Sequence, residues 1–357
     1  MKTDKLVAVV LAVYNGERYL KEQLDSLLEQ TYTNIEVIVI DDDSRDGSFE
    51  IAQSVAEADK RIKVYKNQKN IGLIGNFLKG LSYAKGEFVC FCDQDDYWRP
   101  DKVEILKGLL EEREINMLSY SDIEICDEKL NLIYPSFWRQ AGIGPVNGRL
   151  GELSFLKNIA PGCSVMFRKK VKDILVKIAT DAPFMHDHLA VIIASGLGRL
   201  VYSKEKLVKY RQHPGNNIGA FYNSLINKER IARELKEKLT YCFNNPVLKD
   251  LPFRWKRLQG FYASHEKGGL FIRLGFLKYY LFLRNATFWD KALGFIECAL
   301  PDLYYWLRRR AGLQDSFKAS LHTFCKSLFF IIWSIIVLSY FFHTFILYKF
   351  TKFLTTR

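Results

Sequence analysis

Three carboxylates, Asp93, Asp95 and Asp96, follow the apolar run Phe88–Cys92, and Pro100 comes soon after them. The order fits a buried strand that ends in an acidic turn. It places the carboxylates at the carboxyl end of a strand, where open α/β sheets hold ligands. Groups this close repel one another unless a cation lies among them. Mg²⁺ and Mn²⁺ favour such oxygen ligands and commonly share them with phosphates. A solvated acidic turn is the plain alternative for this segment alone.

A second run, Glu36–Ile40, empties into Asp41-Asp42-Asp43-Ser44-Arg45-Asp46-Gly47. Two strands therefore end in carboxylate-rich turns. A calcium loop through Asp42, Ser44, Asp46 and Gly47 fails, because its twelfth position is Gln53 rather than Glu and a strand precedes it. An Asp-x-Asp nucleophile of the haloacid-dehalogenase phosphatases also fails, because Asp96 and Tyr97 follow where a small hydroxyl residue is needed. Asp41 and Asp46 also suit helix capping ahead of Phe49.

Three segments carry a resemblance. They are Val9-Val10-Leu11-Ala12-Val13-Tyr14-Asn15, Val39 to Ser48, and Asp93-Gln94-Asp95. In this order and spacing the chain resembles family 2 inverting glycosyltransferases of the GT-A fold, over residues 5 to about 220. Asp43 stands where that family usually has Gly. Four further segments, Asn70–Phe77, Pro161–Phe167, His186-Asp187-His188 and Tyr210–Asn217, resemble bacterial rhamnosyltransferases. There the third motif usually ends in Trp, and His188 replaces it.

The resemblance implies roles. Ala12, Tyr14, Asn15, Asp42, Asn76, Asp93 and Gln94 fall to the nucleotide sugar, with Tyr14 stacking on the base and Asp42 accepting from a ring N–H. Asp95 is the main metal ligand, Asp93 its helper, and His213 lies near metal and diphosphate. Asp187 is the base that deprotonates the acceptor in a single displacement. It also suits a helix N-cap. His186 and His188 flank the base, and Asp96, Trp98 and Arg211 are candidates for acceptor contact or support.

The elements that must position these groups alternate. Leu6–Val13, Ile35–Ile40, Ile62–Tyr65 and Glu87–Cys92 read as strands. Glu17–Glu29, Phe49–Ala58, Ile74–Ala84 and Pro100–Glu112 read as helices. The alternation predicts an α/β domain with a mostly parallel, Rossmann-like sheet and helices on both faces. Beyond it, Met117–Tyr120, Ile123–Cys126, Cys163–Phe167, Gly198–Ser203 and Leu207–Arg211 read as strands. Met185–Ser195 reads as a helix, and glycine-rich Trp138–Gly151 as a loop near the site.

Charge divides the chain of 357 residues. Residues 221–357 hold 22 Lys and Arg against 9 Asp and Glu, whereas residues 1–220 hold 30 against 31. The basic part is also rich in aromatic residues, which favours an anionic membrane surface over nucleic acid. Its Ser327–Tyr348 segment is 22 residues without a charge, long enough to span a bilayer or to lie in its interface. The expected organisation is a catalytic domain over 1–220, a helical extension over 221–268 and a membrane-associating region over 269–357. No N-terminal leader is evident, and the seven scattered cysteines suit a reducing cytosol. The expected protein is a Mn²⁺- or Mg²⁺-dependent transferase on the cytoplasmic face of a bacterial membrane. Its donor would be dTDP-rhamnose, or else a UDP-hexose or UDP-N-acetylhexosamine, and its acceptor a lipid-linked glycan. A non-catalytic nucleotide-sugar scaffold is the other class.

Overall fold

A computed structural model describes residues 4–141, 143–150, 158–180, 182–216 and part of 237–249. All of them lie within Met1–Gly268, one of two units into which the chain divides. Among the described residues no helix is long and apolar enough to cross a membrane. The expectations for 221–236 and for 250–357, Ser327–Tyr348 included, lie outside them.

The first half follows the alternation in the sequence. Strands β1 (Val7–Val13), β2 (Ile35–Asp41), β3 (Ile62–Lys66) and β4 (Phe88–Cys92) alternate with helices α1 (Glu17–Leu28), α2 (Ser48–Ala58) and α3 (Gly72–Tyr83). The four strands pair in parallel in the order β3-β2-β1-β4. Strands β1, β2 and β4 read as largely apolar runs because both faces are covered, whereas the edge strand β3 alternates with lysines and is partly exposed. The odd-numbered residues of β1 pack with Leu20, Leu24 and Leu27 of α1 and with Val103, Leu106 and Leu110. Each of these leucines stabilises by about 1.5–3 kcal/mol through burial. The other face meets α3 so closely that a Cβ at Gly80 would lie 2.3 Å from Val10 Cγ1.

The second half departs from a mostly parallel sheet. The two-residue strand β5 (Tyr97–Trp98) and helix α4 (Lys102–Glu111) lead to β6 (Asn116–Cys126) and the short edge strand β7 (Leu132–Tyr134). One helical turn, α5 (Phe137–Gln140), follows, then β8 (Val165–Arg168), α6 (Lys169–Ile178), α7 (His186–Leu197) and β9 (Arg199–Arg211). The sheet continues β4-β8-β6-β9-β5, with β7 on β6. Here β8 is antiparallel to β4 and β6, and β5 to β9, while β6 and β9 are parallel. The sheet is therefore mixed.

Two pairs of expected strands each prove to be one strand. Register shifts between Ser121 and Asp122 and between Asp122 and Glu124 interrupt the β6–β9 ladder. Such bulges break the period-two pattern without ending a strand. Helix α6 was not anticipated, although Val171, Leu175 and Ile178 have helical spacing and are buried. Trp138 opens the expected loop but belongs to α5, buried against Tyr120 and Tyr202.

A candidate glycosyl-transfer site at the carboxyl ends of the parallel strands

Strands β1, β2 and β4 deliver their following turns to one end of the sheet. The Asp42 N–H donates to the Val13 carbonyl at 2.8 Å, which sets Tyr14 and Asp42 on neighbouring strand ends. The Tyr14 ring is 44% exposed. Its backbone N–H donates to Gln94 Oε1 at 2.8 Å, and Gln94 Nε2 donates back to the Tyr14 carbonyl. Gln94 thus fastens the acidic turn to the end of β1. Asn15 and Asp43 have φ of +49° and +65°. Asp is among the few non-glycine residues that tolerate this region, which explains how it stands in for Gly at position 43.

Asp42 is buried and holds a neighbouring loop. Its Oδ1 accepts from Asn67 Nδ2 at 2.7 Å and from the Ile71 N–H at 2.9 Å, and its Oδ2 accepts from the Gly72 N–H at 2.9 Å. The last two place a carboxylate at the N-terminus of α3, where the helix dipole favours it. Asn76, like Asp42, is 2% exposed, and its amide is bonded within the protein. It donates to the Ile40 carbonyl and accepts from Asn67, which steadies Asp42. Ala12 is likewise buried, inside β1.

The acidic turn is tied to the end of β9. Asp95 Oδ2 lies 2.8 Å from His213 Nε2 and 3.3 Å from Asn216 Nδ2. The Gly215 N–H points at His213 Nδ1 (3.1 Å), so that nitrogen accepts and the ring proton sits on Nε2. Asp93 is half-buried. Burial, followed by the charges of Asp95 and Asp187, pushes its carboxyl up to about 7. Asp96 is fully buried and is pushed well above the usual carboxylate range by burial and then by the charges of Asp95 and Asp93. Its Oδ1 accepts from the Arg211 N–H, while Oδ2 has no hydrogen-bond partner among the described residues.

Asp93, Asp96 and Cys163 bring possible ligand atoms within 4.8 Å of one another. A buried cation already serves this side of the turn. Lys102 is fully buried, donates to the Cys163 carbonyl at 2.6 Å and lies over the Trp98 ring. Burial lowers it to about 8. The sequence did not single Lys102 out; its only signal was a lysine entering an apolar helix stripe. Trp98 is also fully buried, which removes it as an acceptor contact and leaves it as packing beneath Lys102.

Arg211 holds these pieces together. It is 2% exposed. Its guanidinium donates to the Asp95 carbonyl at 2.7 Å, to the Glu128 carbonyl and to the Glu22 carboxylate, and it lies over the Tyr19 ring. It is a positioning residue buried away from any acceptor. Arg211→Ala is expected to destabilise the fold by about 3 kcal/mol, because two carbonyls lose their donors. Arg211→Lys should restore little, since one ammonium cannot reach the three acceptors of the fork. Denaturant midpoints check this. Midpoints equal to wild type would deny the guanidinium that role.

Asp187 is the second residue of α7; Met185 is the N-cap, so Asp187 does not cap the helix. Its Oδ2 accepts from Asn158 Nδ2 at 2.8 Å and its Oδ1 from the His188 N–H at 2.7 Å. Asn158 is therefore an orienting partner that nothing in its local sequence marks. Of the flanking residues, His188 helps through its backbone N–H. His188 packs its ring on Phe184. His186 is stacked on Phe77 at 4.1 Å and edge-on to Phe91, with neither nitrogen partnered among the described residues. Burial lowers its pKa, which keeps it neutral. The turn Gly162–Ser164 lies beside the base: a Cβ at Gly162 would be 3.5 Å from Asp187 Cβ.

An exposed aromatic ring, a carboxylate pair with an imidazole and an oriented carboxylate on an α/β sheet match the arrangement that the resemblance to GT-A glycosyltransferases implies. Comparison with known proteins agrees. Residues 8–175 match the glycosyl transferase family 2 domain. An uncharacterized glycosyltransferase of Haemophilus influenzae is 30% identical over 309 residues, covering 79% of this chain and 93% of its own. The chain belongs to the family 2 glycosyltransferases. Its fold is like that of S. aureus TarS 1-349 in complex with UDP-GlcNAc (TM-score 0.51, 17% identity, 82% of this chain and 81% of that one). It is also like mannosyltransferase PcManGT from Pyrobaculum calidifontis in complex with GDP-Man and Mn²⁺ (TM-score 0.50, 16% identity, 88% and 82%).

Proposed function

We propose that this glycosyltransferase moves a sugar, with inversion, from a nucleoside-diphosphate donor to a lipid-linked glycan on the cytoplasmic face of the bacterial plasma membrane. The observation that carries the reading is the nearness of Asp187 to the acidic turn. Its charge helps to raise the Asp93 carboxyl, so the proposed base and the anionic cluster lie close together.

Asp93 and Asp95 would hold a divalent ion such as Mn²⁺ or Mg²⁺, and His213, hydrogen-bonded to Asp95, would join them only by giving up its Nε2 proton. Two carboxylates that repel each other call for positive charge, and carboxylate oxygens suit a hard cation. When bound, the ion would neutralise the charge that grows on the leaving diphosphate. The protein's own groups do the rest. Tyr14 offers a ring to the base. Asp42 keeps a lone pair on Oδ2 for a base N–H. Asn158 aims Asp187, which takes the acceptor hydroxyl proton opposite the leaving group.

The donor we propose is dTDP-rhamnose, on the motif set from Asn70 to Asn216; a UDP-hexose or UDP-N-acetylhexosamine is the alternative. A donor-hydrolysis screen across these sugars is expected to give the highest rate with dTDP-rhamnose. A faster UDP-sugar moves the assignment to that donor. No turnover with any of them favours a binding scaffold.

A further inference from the structure

We propose that the face carrying α3 and the start of α6 seats the catalytic domain on an anionic phospholipid surface. Residues 60–85 hold seven Lys and Arg and no Asp or Glu, although residues 1–220 are close to neutral overall. They fold as the edge strand β3, the loop after it and α3. Tyr65 of β3 stacks on Tyr83 of α3, with centroids 4.1 Å apart and rings 2° from parallel. The side chains of Lys63 and Tyr65 therefore share the sheet face that α3 covers. Lys79 lies one helical turn before Tyr83 on the same side of α3. Lys85 follows the helix.

Helix α6 extends the face. Lys172 Nζ donates to the Ala84 carbonyl at 2.8 Å, which fixes α6 beside the end of α3. Lys169 and Lys170, at the start of α6, are exposed. Glu36 answers part of this charge: it is buried and accepts from Lys63 Nζ and from the Lys85 and Gly86 N–H groups. Lys79, Lys85, Lys169 and Lys170 make no ion pair among the described residues. Between them Tyr83 is 37% and Ile71 41% exposed.

The chemistry suits a lipid headgroup layer. Lysine stems lie along apolar surface while the ammonium reaches outward, and tyrosine sits at the polar boundary. Each lysine near an anionic leaflet contributes attraction that adds with its neighbours. A nucleic acid would want free aromatic faces and forked guanidinium groups. Here the tyrosines stack on each other and Arg61 is tied to Asp59. The loop at Ile71 and Gly72, held by Asp42, puts this face beside the proposed base slot. The proposal rests on the membrane-bound acceptor of the reading above and not on the donor.

The test is flotation of the full-length protein with phosphatidylcholine vesicles, with and without phosphatidylglycerol. The variant Lys79→Glu/Lys85→Glu/Lys169→Glu is compared with Lys129→Glu/Lys204→Glu/Lys206→Glu, an equal charge change at exposed positions elsewhere. The first is expected to lose binding to the anionic vesicles about tenfold or more, the second to bind as wild type does, and both to hydrolyse donor normally without vesicles. Wild-type binding by the first variant overturns the proposal. So does equal loss in both variants, or equal loss on neutral vesicles. Failed donor hydrolysis with unchanged vesicle binding counts against the reaction assignment instead, so the two readings fail separately.

Discussion

Asp187→Asn is expected to lower turnover at least about 100-fold while donor affinity stays near wild type. Asp187 now accepts on both oxygens, from Asn158 and from the His188 N–H. An asparagine must turn its NH₂ toward one of these donors, so it also loses a hydrogen bond, which costs about 1 kcal/mol of stability. That loss is small beside the expected loss of rate. The two are separated by measuring the denaturation midpoint, the donor Kd and kcat on one preparation. Asn158→Ala removes the orienting contact but leaves the carboxylate, and should lower kcat less. Near-normal turnover by Asp187→Asn would mean that another group takes the acceptor proton.

Asp95→Ala is expected to remove transfer almost entirely, by about 100-fold or more, and to weaken donor binding as well. The second effect distinguishes it from the Asp187 change, because the carboxylate would act on the diphosphate of the bound donor. Asp95 also has structural ties, through His213, Asn216 and the Arg211 contact to its carbonyl. The carbonyl contact survives in the alanine variant, so the turn should keep its course. Chelator treatment of wild type gives the independent measurement. Full activity after chelation, with no stimulation by Mn²⁺ or Mg²⁺, would leave the Asp93–Asp95–His213 group without a metal role.

The two strand-end acidic turns could be read directly from order alone. An apolar run that stops at a cluster of aspartates is a local signal, since burial on both faces demands the run and the sheet edge ends it. The β1–α1 through β4 alternation was legible for the same reason. The family resemblance then supplied roles that spacing could not, and the fold sets His213 beside Asp95. The position of Asp43 was visible as a departure, but its positive φ was not.

Tertiary structure decided which polar residues face one another and which are used up inside. Gln94 and Asn76 bear the same amide as any ligand-binding residue; only the fold shows both ends of each already bonded within the protein. Trp98 and Arg211 are types that often contact ligands, yet burial makes them packing and a brace. Lys102 and Asn158 reach their partners across 61 and 29 residues of sequence. The antiparallel placement of β8 and the charge face across α3 and α6 are of the same kind. Local sequence determines where a strand or turn forms, because its physics is periodic burial and backbone geometry. What a side chain meets across the sheet is set by distant packing, and no window of the sequence contains it.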